Sequence, residues 1–444
     1  MAAEDSAAVD VGVTDMAMLN KKLAAATCAL LGTAVVTPVD AQEEPKWDFN
    51  TSLLYYGESD DRAQDLSFKS LSRRMFADDK YLSIGLTVDT LTGASPNGAI
   101  RQDIPQTFTR PSGNGSYEVV AGELPLDDTF HDTRVALTAG WQQPAGEKGL
   151  LSVGLSASKE YDYLHTGLNA SYAHDFNNRN TTVSAGFAYA NDSIEPVGGA
   201  PVPFTEMLDV GDVGNRVGDQ DKDVLDFILG VTQVVSRNLL VQVNYSFSRA
   251  EGYLNNPYKV LSLVDGVTGD TISRTPGPEG GPSGVFLYEG RPEERTQHSL
   301  YAQAKYNMSG KVLDVSYRYM TDDWEIDSHT IDARYRWPIG DRSYLEPHLR
   351  FYTQTEADFY RLSLDNSVAL PAYATSDYRM GNFDGTTLGL KYGWKTRNDN
   401  EMSVRLEWYT QSGTVPAAQI IGNQADRDNY PDLNAVIAQF SYRF

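Results

Sequence analysis

From residue 47 onward the chain is written in short segments in which every second residue is apolar. Successive side chains of a β-strand point to opposite faces, so such a segment has one apolar and one polar face, and a wall between lipid and water needs about ten residues of this pattern at a time. The first segment shows it, with Trp47, Phe49, Thr51, Leu53 and Tyr55 in one row and Asp48, Asn50 and Ser52 in the other. Aromatic residues at both ends of the apolar row suit the two interfacial girdles of a membrane barrel. The pattern returns at Leu82/Ile84/Leu86/Val88, Val135/Leu137/Ala139/Trp141, Val183/Ala185/Phe187/Tyr189 and Val241/Val243/Tyr245/Phe247. Later copies are Leu313/Val315/Tyr317/Tyr319, Leu345/Pro347/Leu349/Phe351, Leu388/Leu390/Tyr392/Trp394 and Met402/Val404/Leu406/Trp408, each too short and too regular for a helix.

With the weaker segments included, strands are expected near 46–56, 65–76, 81–91, 132–142, 150–159, 163–175, 181–191, 223–234, 239–249, 297–307, 312–320, 325–336, 344–354, 386–395, 401–410 and 433–444. The fold class that follows is all-β, a transmembrane antiparallel up-and-down barrel of about sixteen strands, an even number as single-chain bacterial barrels require. Connection lengths support it independently. If the chain starts on the periplasmic side, the inner turns fall at 77–80, 144–149, 177–180, 236–238, 308–311, 338–343 and 396–400, and all are short. The long stretches 92–131, 192–222, 250–296, 355–385 and 411–432 all fall on the other side, an asymmetry that a soluble sandwich or propeller has no reason to produce.

The N-terminus reads as an export signal beginning at Met18. Lys21 and Lys22 form its positive region, residues 23–36 its apolar region, and Val39, Asp40 and Ala41 a small-residue cleavage site. Residues 1–41 are therefore expected to be extension and signal peptide, and 42–444 a single barrel domain. The single cysteine, Cys28, lies inside the signal, so the mature chain offers no thiol for disulfide, metal or nucleophile. Formal charge is −23, and residues 1–41 contribute five acids and two lysines, leaving −20 beyond them. Such a balance disfavours nucleic acid as a partner.

The last strand places Val436, Ala438, Phe440, Tyr442 and Phe444 in one row and ends on an aromatic. This resembles the C-terminal signal read by the bacterial barrel-assembly machinery, which becomes an expected partner together with outer-membrane lipid. Residues 252–259 (Gly-Tyr-Leu-Asn-Asn-Pro-Tyr-Lys), 291–295 (Arg-Pro-Glu-Glu-Arg), Asp322-Asp323-Trp324 followed by Ser328-His329-Thr330, Pro347, and Arg350 to Gln354 with Ala357 to Tyr360 form a further pattern. Together with residues 89–96 and 232–236, it resembles a proteobacterial outer-membrane family known only as a domain of unknown function. The resemblance implies fold and compartment and no established activity.

Facing away from the apolar rows, Asp314, Arg318, Asp332, Arg334, Arg336, Glu346, His348, Arg350, Lys391, Arg405 and Glu407 should point inward. Of these, Arg318, Asp332, Arg334, Glu346, His348, Arg350, Arg405 and Glu407 are the candidate binding residues. They would form either a charged lining that selects solutes in a water-filled pore or a cross-strand salt-bridge network that fills the lumen, and both readings stand open. No catalytic constellation is visible: Ser328 and His329 are adjacent but on opposite faces, and His174 and His348 have no partner that the sequence reveals. The stretch 219–223 (Asp-Gln-Asp-Lys-Asp) begins like a calcium loop but has Val224 where the glycine belongs and no closing Glu, so it reads as a solvated acidic loop. With few residues between Gln42 and the first strand there is no room for an N-terminal plug domain, and gating falls to the long loops. The expectation is a non-enzymatic, porin-like channel for small solutes in the outer membrane of a Gram-negative cell, without cofactor. A docking or structural barrel is the alternative, and an integral enzyme is the third.

Overall fold

In the computed structural model, which describes residues 47–444 apart from 61, 213 and 215, sixteen antiparallel strands close into one barrel. The expected signal peptide and its cleavage site lie outside the described residues. In chain order the strands are β1 (Trp47–Glu58), β2 (Gln64–Phe76), β3 (Lys80–Pro96), β4 (Leu126–Pro144), β5 (Gly149–Lys159), β6 (Tyr163–Phe176), β7 (Thr181–Ile194) and β8 (Gln220–Ser236). They continue with β9 (Leu239–Gly252), β10 (Glu294–Met308), β11 (Lys311–Asp322), β12 (Asp327–Ile339), β13 (Ser343–Gln354), β14 (Asn382–Lys395), β15 (Glu401–Thr414) and β16 (Leu433–Arg443). Each pairs with its sequence neighbours, and β1 pairs with β16 from Asn50↔Arg443 to Glu58↔Ala435, so no edge strand remains. Phe444 stacks on Phe49 at 5.2 Å and on Tyr442 at 4.8 Å, fastening the seam.

The apolar rows face outward: Leu53, Leu137, Leu155, Leu229, Leu388 and Trp408 are all exposed, as lipid-facing groups must be in a structure without lipid. The turn ends are tight. Asp78 and Asp79, and again Ser309 and Gly310, have positive φ at the two central positions, the backbone that matches the twist of the strands it joins.

On the loop side the strands run further than the alternation indicated. β3 extends to Pro96, β4 begins at Leu126, and β8 begins at Gln220. The acidic stretch at 219–223 is therefore largely the first residues of a strand and not a solvated loop, which corrects the sequence reading. Above the membrane neither face of a strand meets lipid, so pairing continues while the hydrophobic period that betrays it disappears. A bulge between Gly93 and Ser95 redirects β3 there.

The long segments fold into a cap. Ser116–Val119 pairs with Gln106–Thr109, and Val260–Val264 lies between Phe286–Tyr288 and Leu364–Asp365. Ala99, Phe108, Val119, Met207, Val260 and Phe286 are buried together, as are Trp324, Ile326, Phe359, Tyr360 and Met380. Much of the apolar core thus sits in the cap, because the barrel wall spends its apolar side chains on lipid.

Leu388→Arg places a charge on the lipid face and should cost about 2 to 4 kcal/mol in vesicle-reconstituted protein. Asn50→Arg, on the lumen face, should cost much less, and urea unfolding of the two variants in the same vesicles measures the difference.

Candidate functional site

At the top of β9, Gly252 adopts φ 109° and its amide donates to the Glu293 carbonyl at 2.9 Å, so the chain peels off the wall and turns inward. Residues 253–259 then cross the barrel mouth. Between them and the inner wall lies a cavity of about 590 Å³. Leu54, Tyr56, Val224 and Ile437 line it from the strands, and Tyr253, Tyr258, Lys259, Tyr378 and Arg379 from the cap.

The cap is tied by a group of charges that are nearly all inaccessible. Arg291 Nε lies 2.7 Å from Glu289 Oε1 and its Nη2 donates to Asp377 Oδ2 at 2.9 Å, while Arg379 Nε donates to Asp377 Oδ1 at 2.8 Å. The Asn256 amide and the Thr375 hydroxyl donate to Glu289, and Asn255 Oδ1 accepts from the Arg291 amide. Lys259 Nζ donates to the Pro96 carbonyl and to Ser95 Oγ. The cluster therefore joins the β9–β10 and β13–β14 connections to the loop end of β3. Burial alone would raise the Asp377 carboxyl, but Arg379, Lys259 and Arg291 hold it far below the usual carboxylate range. Burial raises Glu289 despite Arg291, and burial lowers Lys259 to about 8.

A second knot sits beside it. Arg295 Nε donates to Asp322 Oδ2 at 2.8 Å, its guanidinium carbon lies 4.4 Å above the Trp324 ring, and Trp324 meets Phe359 edge-on at 5.0 Å. Asp322 Oδ1 also accepts from the amides of Trp324 and Ile326. Tyr258 donates its phenol proton to Asp162. Residues 253–259, Arg291, Arg295 and Trp324 of the sequence pattern noted above thus meet at the cap and its cavity, while Pro347 and Arg350 lie on the barrel wall and 232–236 at its turn end. A family model described as "Protein of unknown function (DUF3570)" matches residues 20–444. The chain belongs to this family.

Among solved structures, the DUF3570 barrel is similar to a "Bacterial polysaccharide outer membrane secretin" at 9% identity and TM-score 0.42, over 91% of this chain and 100% of that one. It is similar to "CdiB from Acinetobacter baumannii" at 10% identity and TM-score 0.45, over 91% and 61% of the two chains. It is also similar to the "CymD monoaromatic hydrocarbon channel" at 9% identity and TM-score 0.38, over 90% and 89%. No curated protein matches the sequence.

The residues singled out from the sequence lie on one side of the lumen, on β11 to β15. Register sets Asp332 beside Arg350, Arg334 beside His348, Glu346 beside Lys391, and Lys391 beside Arg405. His348, which had no visible partner, has two: Nε2 lies 2.8 Å from Asp332 Oδ2 and Nδ1 2.8 Å from Glu407 Oε1. A carboxylate can only accept, so both ring nitrogens donate and the ring is held as an imidazolium. Gly389, paired with Glu407, makes room for this, since a Cβ there would lie 2.7 Å from Glu407 Cγ. Arg334 Nε is 3.4 Å from Asp332 and Arg405 Nη1 3.6 Å from Glu407. Arg318 stands higher on the wall, opposite Thr330, and Glu346 lower. Acids and cations alternate across this wall, with Asp314, Asp332, Glu346, Glu401 and Glu407 among Arg318, Arg334, Arg336, Arg350, Lys391 and Arg405, and Arg336 Nη2 lies 3.6 Å from Glu401 Oε1.

Other readings resolve simply. Ser328 faces inward and is buried, while His329 faces outward and meets the Tyr317 hydroxyl at 2.7 Å. His174 also faces outward, against Tyr172. Asp132, Glu160 and Asp162 bring carboxylate oxygens within 4.8 Å of one another at the cavity rim. Asp132 there accepts from the backbone of Thr133 and Tyr161 and Asp162 from Tyr258, which serves the turn. Sequence reasoning missed the charged knot of the cap. Lys259 and Arg291 were the visible signals, while their partners Glu289 and Asp377 sit outside the pattern.

Arg291→Met leaves Glu289 and Asp377 buried without their shared cation and should destabilise the cap by about 3 to 5 kcal/mol. Hydrogen exchange at 253–293 and 355–381 should rise accordingly, with the barrel strands unchanged. Lys259 gives a pH signature. Its folded value of about 8 lies below the ordinary 10.5, so between these values the folded chain gives up the proton first and stability from this group rises with pH. In Lys259→Met that slope should vanish, and melting curves of both proteins across this window measure it.

Proposed function

We propose that this protein is a solute-selective channel of the outer membrane, closed on its loop side by the cap and loaded through the cavity beneath it. The single observation that carries this reading is the cavity itself. It is of small-molecule size, both apolar and hydrogen-bonding, and it stands between the loop side and a lumen that solvent enters from the turn side. Leu71 faces the lumen near that end and is 40% exposed, and the Lys305 side chain is 46% exposed. The turn side is read as periplasmic, the outward rows as contacts with outer-membrane lipid, and the Phe444 strand as the segment recognised by the assembly machinery. The interleaved charges of the lumen wall are the groups that would set its ion preference.

A second reading draws on the paired charges of that wall and the locked cap: a barrel that serves as a docking platform, with its lumen packed. Planar-bilayer recording separates the two. A channel gives discrete conductance with a defined ion preference read from its reversal potential, and Arg350→Ala should shift that preference. The tract 275–283 folds out from an anchor between Arg274 and Asp209, whose oxygens lie 2.5 and 3.0 Å from the guanidinium. Deleting it should raise conductance. Silence of the intact and the deleted protein alike would remove the channel reading and leave the platform.

A further inference from the structure

On the lumen wall across from the charged strands, three neighbouring strands bring together a serine, a histidine and an aspartate. Ser156 on β5 places Oγ 3.0 Å from Nε2 of His165 on β6, and His165 Nδ1 lies 2.7 Å from Asp192 Oδ1 on β7. Asp192 is fully buried and held by a second set of contacts, since its Oδ2 accepts from the Tyr163 hydroxyl at 2.5 Å and lies 3.4 Å from Lys222 Nζ. A carboxylate only accepts, so His165 carries its proton on Nδ1 and turns the lone pair of Nε2 toward the serine hydroxyl. This is the state in which an imidazole serves as a general base. His348 is the opposite case, with both nitrogens committed to donation.

Two further observations bear on the group. Gly167 is paired with Ser156, and a Cβ at this position would lie 2.6 Å from Ser156 Oγ and 3.2 Å from His165 Nε2, so the contact exists because a glycine stands there. Tyr163 and Lys222, which clamp Asp192, also line the cavity under the cap. The group is therefore joined to the cavity through the partners of Asp192, while Ser156 and His165 stand on the lumen wall, only partly buried.

We propose that Ser156, His165 and Asp192 form a nucleophilic triad that hydrolyses carboxylic esters with a small apolar group, an activity separate from conduction. Ser156 Oγ bonds to the ester carbonyl carbon as its proton passes to His165 Nε2. The carbon–oxygen bond to the alcohol then breaks, and the alcohol leaves with that proton. Water bonds to the acyl carbon, giving a proton to Nε2, and the acid departs as Ser156 recovers its proton. Asp192 acts as a positioning residue that holds the tautomer throughout.

The test uses the full-length barrel, shown to be folded by its heat-shifted gel mobility, with a fluorophosphonate and p-nitrophenyl butyrate. The wild type should be labelled at Ser156 by mass spectrometry and should hydrolyse the ester. Ser156→Ala should lose both, whereas Ser158→Ala, which alters the next lumen-facing serine, should keep both. Asp192→Asn should lower kcat on the order of a thousand-fold or more with KM held. Folded wild type without label or hydrolysis overturns the triad, as does hydrolysis that survives in Ser156→Ala. Conductance of these variants is read separately, so loss of this activity leaves the channel question untouched.

Discussion

A backbone that crosses lipid has no water to satisfy its amides and carbonyls, so every strand needs two neighbours. In this protein the requirement is met by one event, the pairing of β1 with β16 along nine residue pairs from Asn50↔Arg443 to Glu58↔Ala435. Once the sheet is closed, its outer face is surrendered to apolar side chains and its inner face becomes a shielded wall on which polar groups can be held in fixed register. The aromatic stack of Phe49, Phe444 and Tyr442 stands at that seam.

Closure also explains where the apolar core has gone. Most leucines and aromatics of the barrel face lipid, and on its inner face a cluster of Leu54, Tyr56, Tyr409, Leu433 and Ile437 packs only near the cap. The five long connections supply the packed interior instead, and they bury charges there, in the Glu289, Arg291, Asp377, Arg379 and Lys259 group. Removing one member of such a group is costly because its partners stay buried. Cap and barrel are thus stabilised by different physics, and the cavity lies at their boundary, where the apolar inner ends of β1, β8 and β16 meet the cap.

How much could be read from the sequence follows from the same division. The strands between Trp47 and Arg443 were legible because lipid enforces a period of two, and the inward residues Asp332, Arg334, His348 and Glu407 were legible as a face. Their partners were not. Period two assigns a side chain to a face but does not say which neighbour it meets, so the two carboxylates of His348 and the contact of Ser156 with His165 were invisible. The latter pair is nine residues apart, across the β5–β6 connection, and Asp192 lies a strand further on. Above the lipid the period fails altogether, which is why the strand start at Gln220 read as an acidic loop.

The sequence by itself determined a closed all-β wall of sixteen strands, its sidedness, and the identity of the lumen-facing charges, because a lipid–water boundary imposes a local rule on each residue in turn. Only the tertiary structure decided that five long loops pack into one cap, that residues 253–259, Arg291, Arg295 and Trp324 meet at a cavity, and that one lumen histidine is locked between carboxylates while another faces a serine. These depend on strand register and on contacts between residues up to a hundred or more positions apart, and no local rule of alternation carries that information.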